Sequence, residues 1–181
     1  NLYEGGVRKK PTAQIEYSHQ ALVLGVRDFI RKIGFKKAHV GLSGGIDSAV
    51  VACLIADAIG PQNLTCVALP TKFNSSLSYD LAKELCVNIH CEFKEIAIQP
   101  SFEKLIESYE HSFGSKEFSL LHENLQSRIR GLFLMAYSNE TGSLLVTTGN
   151  KSEYATGYAT IYGDMCGGLA PIADLLKGQI Y

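Results

Sequence analysis

Short apolar runs alternate with amphipathic segments along most of the chain. Apolar runs of strand length occupy residues 37–42, 64–70, 91–98 and 143–150. Between these runs, apolar residues recur at intervals of three and four, the spacing that gathers them on one side of a helix. Strands that alternate with helices predict a parallel sheet joined by right-handed crossovers. We therefore expect a doubly wound α/β fold with helices on both faces of the sheet.

The same pattern indicates which side of each helix is buried. Residues 48–61 are apolar on almost every side, so this helix should be covered all round, with Gly60 and Pro61 ending it. The longest helix is predicted over residues 120–138, and residues 111–118 are predicted to form a mobile excursion. Four further helices are predicted, the last of them the longest, and each has a set of inward-facing positions. In chain order these are Leu22, Val26, Phe29 and Ile33; Leu77, Leu81 and Leu85; Phe102, Leu105, Ile106 and Tyr109; and Leu125, Ile129, Leu132 and Met135.

Composition places the chain among ordinary globular domains. It has 181 residues, of which 46% are hydrophobic and 19% charged, enough for one domain with its own core. The net charge of −1 argues against non-specific binding to nucleic acid or anionic lipid, but it leaves a small ligand or one specific RNA open. No apolar run is long enough to span a bilayer. Residues 1–17 lack periodicity and are predicted to be a linker or arm.

The cysteines indicate where the protein works. There are five of them, an odd number, and none forms a C-x-x-C pair. Cys53, Cys66 and Cys91 lie within apolar patterns, where buried free thiols are expected. Free thiols are typical of a reducing compartment. Because the sequence also shows no signal peptide, we predict a cytoplasmic protein.

The loop after the first strand, residues 41–48, reads GLSGGIDS and has the features of a phosphate site. Its three glycines permit tight turns that bring backbone N–H groups close to a ligand. Ser43 and Ser48 add hydroxyl donors, and the following helix points its positive end at the same place. The alternative is a strand–Gly–Gly–helix corner that binds nothing.

Asp47 is unexpected in such a loop, because the common phosphate loop has a lysine in G-x-x-x-x-G-K-[ST]. A carboxylate ~4 Å from a phosphate charge is repelled by about 4 kcal/mol at a surface-like dielectric. A divalent cation removes that conflict, since Mg²⁺ binds one or two carboxylates together with phosphate oxygens. Asp47 is therefore predicted to be a magnesium ligand that faces a polyphosphate. Its alternative role is an N-terminal helix cap.

These residues carry a family resemblance. The string SGGIDS resembles the signature of the N-type ATP pyrophosphatases, which split ATP into AMP and pyrophosphate on an adenine nucleotide alpha hydrolase-like fold. ENLQSRIRGLFLMAYSN and LLVTTGNKSEYATGYATIYGDMCGGLAPIADLLK resemble the NAD⁺ synthetases, over a range of 18–181 in all. The stretch ALVLGVRDFIRKIGF resembles the glutamine-dependent branch in particular. Ile161 supports that branch, because ammonia-using members carry a lysine there that binds deamido-NAD.

The resemblance implies a reaction. NAD⁺ synthetases amidate deamido-NAD⁺ with ammonia through an adenylated intermediate, using ATP and Mg²⁺ and releasing AMP and pyrophosphate. The glutamine-dependent members carry a glutaminase domain upstream, which we expect this chain to lack, and the family continues beyond Tyr181. The 18–181 domain is thus expected to be truncated at its carboxyl end. A homodimer or higher homo-oligomer is also expected, with the helix over residues 120–138 contributing to it.

The resemblance also assigns residues. ATP would be bound by Gly41, Leu42, Ser43, Gly44, Gly45, Ile46, Asp47, Ser48, Thr148 and Lys177. Deamido-NAD would be bound by Asn124, Arg128, Glu153 and Asp164. Asp47 and Glu153 would ligate Mg²⁺, and together with Lys177 they would form the catalytic set. Taken alone, Lys177 and Glu153 also fit solvated surface positions, and Arg128 fits a surface salt bridge.

Topology supports the pairing of the two acidic residues. Ligands of doubly wound sheets bind where the strand order reverses, beyond the carboxyl ends of the strands. If the order is 3-2-1-4, the loops after the first and fourth strands flank one crevice. Residues 43–48 should then lie opposite residues 148–153.

Two other functions fit part of the pattern. One is a different ATP pyrophosphatase, such as a GMP synthetase-like or tRNA-modifying enzyme, which would need other downstream strings. The other is a non-catalytic module that senses an adenine nucleotide, which has less need of two metal-binding carboxylates. The pair Asp47 and Glu153 therefore favours the enzyme.

Overall fold

Four short strands, seven α-helices and one 3-10 helix (Pro61–Asn63) lie along residues 14–114 and 117–181, the part of the chain that the computed structural model describes. The strands form one parallel sheet in the order β3-β2-β1-β4, which confirms the predicted order and fold. The elements are α1 (Gln14–Lys32), β1 (Ala38–Gly41), α2 (Ile46–Ile59), β2 (Leu64–Ala68), α3 (Ser76–Ile89), β3 (Glu92–Glu95), α4 (Gln99–Phe113), α5 (Leu120–Thr141), β4 (Leu144–Val146), α6 (Lys151–Thr156) and α7 (Lys177–Ile180).

Helices cover both faces of the sheet, and each covered face has its own hydrophobic cluster. One cluster joins α1, α2 and α3 to alternate residues of the strands, including Val40, Cys66 and Val146. The other joins α4 and α5 to the residues that point the opposite way, including Val67 and Leu145. Because successive side chains of a strand face opposite sides, these short apolar strands feed both clusters.

Helix α2 is the element most deeply enclosed in the first cluster. Seven of its residues are buried, on several sides of the helix, as predicted from the all-round apolar pattern. It lies between the sheet and α1. Gly60 ends it with φ +88°, a conformation that favours glycine.

Several predicted inward positions are wrong. Ile33, Leu77, Leu81, Leu105, Leu132 and Met135 are all exposed. In α3 the buried positions are Ala82 and Cys86, and in α5 they are His122, Gln126, Ile129, Gly131 and Leu134. Many of the residues that these helices turn toward the protein core are small or polar. A search for large apolar side chains therefore selects an adjacent, exposed side of each helix.

Two segment predictions also change. Residues 14–17, assigned to the predicted arm, form the first turn of α1, and residues 1–13 lie outside the described residues. Of the predicted excursion at 111–118, residues 111–113 end α4, and residues 115–116 are outside the description. Among the residues that the structure does describe, no helix combines the length and apolarity needed to cross a bilayer.

A buried histidine ties the sheet to α5. His39 of β1 is fully buried, with Nε2 3.0 Å from the carbonyl oxygen of Leu134 and Nδ1 2.8 Å from the hydroxyl of Ser143. The carbonyl can only accept, so Nε2 carries the proton and Nδ1 accepts from Ser143. Desolvation lowers the pKa of His39 below its usual value of 6.5, against a smaller opposing effect from the hydrogen bond to Leu134.

We expect His39 to make the fold sensitive to acid. With its folded-state pKa lowered, the unfolded chain binds a proton below about pH 6.5 that the folded chain resists, so stability falls as the pH drops. The slope from this group is at most about 1.4 kcal/mol per pH unit. His39→Gln should flatten the pH dependence of urea unfolding between pH 7 and 5, whereas the exposed His19→Gln should not. Identical slopes in all three proteins would contradict the assignment.

Candidate active site

A cavity of about 540 Å³ opens at the carboxyl ends of β1, β2 and β4, within the range of small-molecule sites. The predicted residues that line it are Gly41, Leu42, Ser43, Asn124, Thr148 and Asp164. Its location matches the expected crevice beyond the carboxyl ends of the strands. Of the remaining predicted residues, Glu153 lies in α6, Lys177 in α7 and Arg128 in α5. The others belong to the 41–48 loop and the first turn of α2.

The 41–48 loop is shaped by glycine and braced by its own serines. Gly44 has φ +82°, and a Cβ there would lie 2.1 Å from the carbonyl oxygen of Ser78, so only glycine fits. Ser48 is buried and donates its hydroxyl to the Gly45 carbonyl (3.0 Å), while the Ser43 hydroxyl accepts from the Gly45 N–H (3.2 Å). The Ser48 hydroxyl thus stabilises the shape of the loop, whereas the sequence predicted that it would donate to a phosphate.

The helix that follows begins without a side-chain cap. Gly45 is the N-cap of α2, and it has no side chain to accept from the first N–H groups of the helix. Asp47 lies in the first turn of α2, so its alternative assignment as the helix cap is wrong. The first N–H groups of a helix have no partner within the helix. Together with the helix dipole they favour an anion at this point.

Asn150 connects the two predicted metal ligands. It is fully buried and caps α6, with its side-chain oxygen accepting from the Glu153 N–H at 3.0 Å. The Glu153 carboxylate returns the bond by accepting from the Asn150 backbone N–H (3.0 Å), a capping box. The oxygen of Asn150 is thereby fixed, so its NH₂ group faces Asp47 and donates to Oδ1 at 3.0 Å. Two carboxylates 106 positions apart therefore meet at one asparagine.

Lys177 neutralises Asp47 from the other side. The first residue of α7, it donates from Nζ to Oδ2 of Asp47, whose side chain is only 18% exposed. The hydrogen bond and charge of Asp47 raise the pKa of Lys177, with smaller contributions from Tyr181 and Glu153. Lys177 N also donates to the Ser152 hydroxyl (3.0 Å), which fixes α7 beside α6. All three predicted catalytic residues thus belong to one group.

The predicted substrate residues Asn124 and Asp164 meet at Thr160. The Thr160 hydroxyl donates to Asn124 Oδ1 (2.8 Å), and its backbone N–H donates to Asp164 Oδ1 (2.8 Å). Asp164 N donates in turn to the Ser127 hydroxyl (3.0 Å). Desolvation raises the pKa of Asp164, opposed by hydrogen bonds that its carboxylate accepts from the backbone N–H groups of Thr160, Asp164 and Met165. The segment around residue 160 is therefore fastened to one face of α5.

The two arginines of α5 have different surroundings. Arg128 is exposed, does not line the cavity, and donates to the Ile161 carbonyl (3.2 Å). Arg130 lines the cavity and donates to the Leu69 carbonyl (3.2 Å) and to Asn74 Oδ1 (3.3 Å). Burial lowers the pKa of Arg130, and no carboxylate among residues 14–114 and 117–181 forms an ion pair with it.

Sequence reasoning missed Asn150 and Arg130. Asn150 stood in the quoted string GNKSE, and a residue of the N-cap type three positions before a glutamate is a capping-box signal. Arg130 is two positions from Arg128, but only the packing of α5 shows which of the two faces the cavity. A partly buried guanidinium without a carboxylate partner favours an anionic ligand.

The family model described as NAD synthase matches residues 18–181. The chain belongs to the NAD synthase family. Among relatives of known function, the glutamine-dependent NAD(+) synthetase of Xanthomonas campestris pv. campestris is 51% identical over 162 residues, which cover 90% of this chain and 29% of that protein. The chain thus spans about three-tenths of the length of that relative.

Two solved structures show how this NAD synthase domain compares in space. The glutamine-dependent NAD⁺ synthetase of Acinetobacter baumannii in complex with ADP superimposes with a TM-score of 0.91 at 36% identity, covering 96% of this chain and 33% of that one. An NMN synthetase from Francisella tularensis gives a TM-score of 0.85 at 30% identity, covering 93% and 68%. The fold is therefore shared with synthetases of both names.

Gly44→Ala should distort the 41–48 loop. The added methyl group would lie 2.1 Å from the Ser78 oxygen, so the loop must move in addition to adopting a strained φ of +82°. Gly34→Ala is the matched control, because it has the same φ and nothing within 4 Å of the added Cβ. We expect the control to lose about 1–2 kcal/mol of stability. Gly44→Ala should lose more stability than the control in denaturant titrations, and equal losses in the two variants would contradict this account.

Asn150→Asp should destabilise the site in a pH-dependent manner. The variant keeps the oxygen that caps α6 but places a second carboxylate against Asp47. We expect a loss of roughly 2 kcal/mol at pH 8. The loss should shrink toward pH 5, because burial and repulsion raise the pKa of the new aspartate and favour its neutral form. Asn139→Asp, on the exposed surface of α5, should show no such loss in denaturant titrations; parallel behaviour of the two variants would refute this function of Asn150.

Proposed function

We propose that this domain catalyses the ATP-dependent amidation of deamido-NAD⁺ to NAD⁺, the last step of NAD biosynthesis. The observation that carries the proposal is the group Asp47, Asn150, Glu153 and Lys177 beside a cavity at the switch point of the sheet. Membership of the NAD synthase family supports the chemistry. The ADP-bound relative supports an adenine nucleotide as ligand.

The phosphates of ATP are assigned to the 41–48 loop and the start of α2. The N–H groups there lack a side-chain cap, and Gly44 lets the backbone turn tightly. The helix dipole adds to the attraction for the negative charge. Thr148 and Arg130 line the adjoining cavity, where a neutral donor and an unpaired guanidinium can contact the rest of the nucleotides.

The donor set fits Mg²⁺. Asp47 and Glu153 offer hard carboxylate oxygens, and Asn150 holds both in place without using all of their oxygen atoms. When bound, Mg²⁺ would neutralise the departing pyrophosphate. Lys177 already lies on Oδ2 of Asp47 and would move its ammonium group from that oxygen to a phosphate oxygen. The ammonium group of Lys177 would thus remain in the site and exchange the Asp47 carboxylate for a phosphate as its partner.

The residues accomplish the chemistry by positioning and charge. A carboxylate is a poor acyl donor, so the nicotinate carboxylate oxygen attacks the α-phosphorus, and the bond from that phosphorus to the β-bridging oxygen breaks to release pyrophosphate. Ammonia then attacks the acyl carbon and releases one proton to the solvent, and AMP leaves with the former carboxylate oxygen. Fixed backbone donors and Lys177 stabilise the charge that develops on the phosphates. Asn124 and Asp164, linked through Thr160, are assigned to orient deamido-NAD, with Arg128 at the exposed edge.

Other parts of the predicted biology are proposals from the relatives. Because the Xanthomonas relative is a glutamine-dependent enzyme several times longer, ammonia is proposed to come from a glutaminase domain in the full-length protein. A homodimer is proposed through α5, where Leu132 and Met135 are exposed apolar residues. The cytoplasm is the proposed compartment, in keeping with five free cysteines.

The isotope-exchange activity of the chain tests the reaction. With ATP, Mg²⁺ and deamido-NAD⁺, we expect labelled pyrophosphate to enter ATP, which reports the adenylation step without ammonia. Adding ammonium should then give NAD⁺ and AMP in equal amounts. Nicotinate mononucleotide is the comparison substrate, because one relative is an NMN synthetase. Production of ADP and phosphate would refute the proposed reaction, and preference for the mononucleotide would change the substrate.

Asp47→Asn and Glu153→Gln test the metal ligands. Each should lower turnover by at least ~100-fold, because it removes one charge from the site that binds the leaving group. Calorimetry separates binding from folding: the variants should weaken Mg²⁺–ATP binding but leave metal-free adenosine binding unchanged. Glu123→Gln, an exposed residue at the cavity edge, is the matched control. Full activity of either variant would remove that residue from the metal site.

A further inference from the structure

Three cysteine thiols converge at a point that the reaction does not use. Cys66 comes from β2, Cys86 from α3, and Cys91 precedes β3. Their sulfur atoms all lie within 4.8 Å of one another, and those of Cys66 and Cys91 are 3.7 Å apart. Cys66 and Cys86 are buried, and Cys91 is partly exposed. We call this group the thiol triad.

The spacing of the sulfur atoms fits a shared metal ion better than a disulfide. In a disulfide the sulfur atoms are about 2.05 Å apart, so Cys66 and Cys91 would have to approach by more than an ångström. Three sulfur atoms around one ion, each at ~2.3 Å, are separated by roughly 4 Å from one another. The thiol triad already has such separations. An ion at its centre requires little movement of the surrounding core.

The ligand count narrows the class of metal. Zinc in structural sites takes four ligands. Within the described parts of the chain, no fourth histidine, cysteine or carboxylate joins the thiol triad. Sulfur ligands select soft ions such as Cu(I). A three-sulfur site therefore suits a soft monovalent ion that accepts low coordination.

We propose that the thiol triad is a binding site for a soft, thiophilic ion of the Cu(I) type. Each thiol that coordinates as thiolate releases one proton to the solvent. Cys91 is the partly exposed member of the triad and gives the ion its route of entry.

Occupation of the thiol triad would join β2 and α3, which also line the cavity, to the segment before β3. Cys86 is one turn after Ala82 in α3, and Cys66 is two residues before Ala68 in β2; both Ala82 and Ala68 line the cavity. An ion bound at the triad would link α3 to the sheet and stabilise the folded chain. The melting temperature should therefore rise when the ion is present.

Anaerobic titration of the 181-residue protein with Cu(I) tests the proposal, using a chromophoric Cu(I) chelator as competitor. We expect one equivalent to bind with a higher melting temperature, and X-ray absorption at the copper edge should give three sulfur neighbours at ~2.3 Å. Two sulfur neighbours, or nitrogen and oxygen neighbours, would overturn the site. Zn²⁺ is the second arm, and tighter binding of Zn²⁺ than of Cu(I) would overturn the assigned class of ion.

Substitution locates the site. Cys91→Ser is the first variant, because Cys91 is the least buried ligand, and it should weaken Cu(I) binding by at least ~100-fold. Cys166→Ser is the matched control, since Cys166 is a partly buried thiol outside the triad, and it should retain the affinity. Circular dichroism confirms that each variant is folded. Retained binding in Cys91→Ser, or loss in Cys166→Ser, would place the ion elsewhere and refute the proposal.

Discussion

The site depends on a negative charge placed where the fold attracts anions. Asp47 lies in the first turn of α2, at the positive end of the helix and next to the tight turn at Gly44. The helix end stabilises this carboxylate. A phosphate at the same place meets it as a like charge, so a cation must lie between the two. Lys177 supplies that cation in the structure, and the proposed reaction requires a second cation with more positive charge.

Asn150 fixes the position of the Asp47 carboxylate relative to α6 and Glu153. An asparagine has one end that accepts and one that donates. The start of α6 fixes the accepting end, so the donating end must face Asp47. An aspartate, serine or threonine could also cap α6, but none of them would offer an amide donor to Asp47 at the same time. The local capping rule and the distant carboxylate together explain this residue type.

The sequence predicted the order of the strands and the location of the crevice, because alternation and the switch-point rule depend only on the succession of elements. It also placed Asp47 and Glu153 on facing loops. Ile129 was correctly predicted to face inward in α5, but other inward positions of α3 and α5 were missed, since Ala82 and Gly131 face the interior where a search favours leucine. Whether Arg128 or Arg130 faces the cavity depends on how α5 is rotated about its own axis relative to the sheet. The sequence pattern does not fix that rotation.

The thiol triad and the cavity share β2 and α3, so neither can be altered in isolation. The carbonyl of Ser78 in α3 contacts the phosphate loop at Gly44, and Cys86 lies two turns further along the same helix. A shift of α3 toward or away from the sheet would therefore change the space beside Gly44 and the separation of the sulfur atoms at once. Small side chains at Ala82 and Cys86 keep α3 close to the sheet, and this close packing maintains both arrangements. The small residues Ala82 and Cys86 made the buried side of α3 hard to predict from the sequence, and they are also the residues that hold α3 against the sheet.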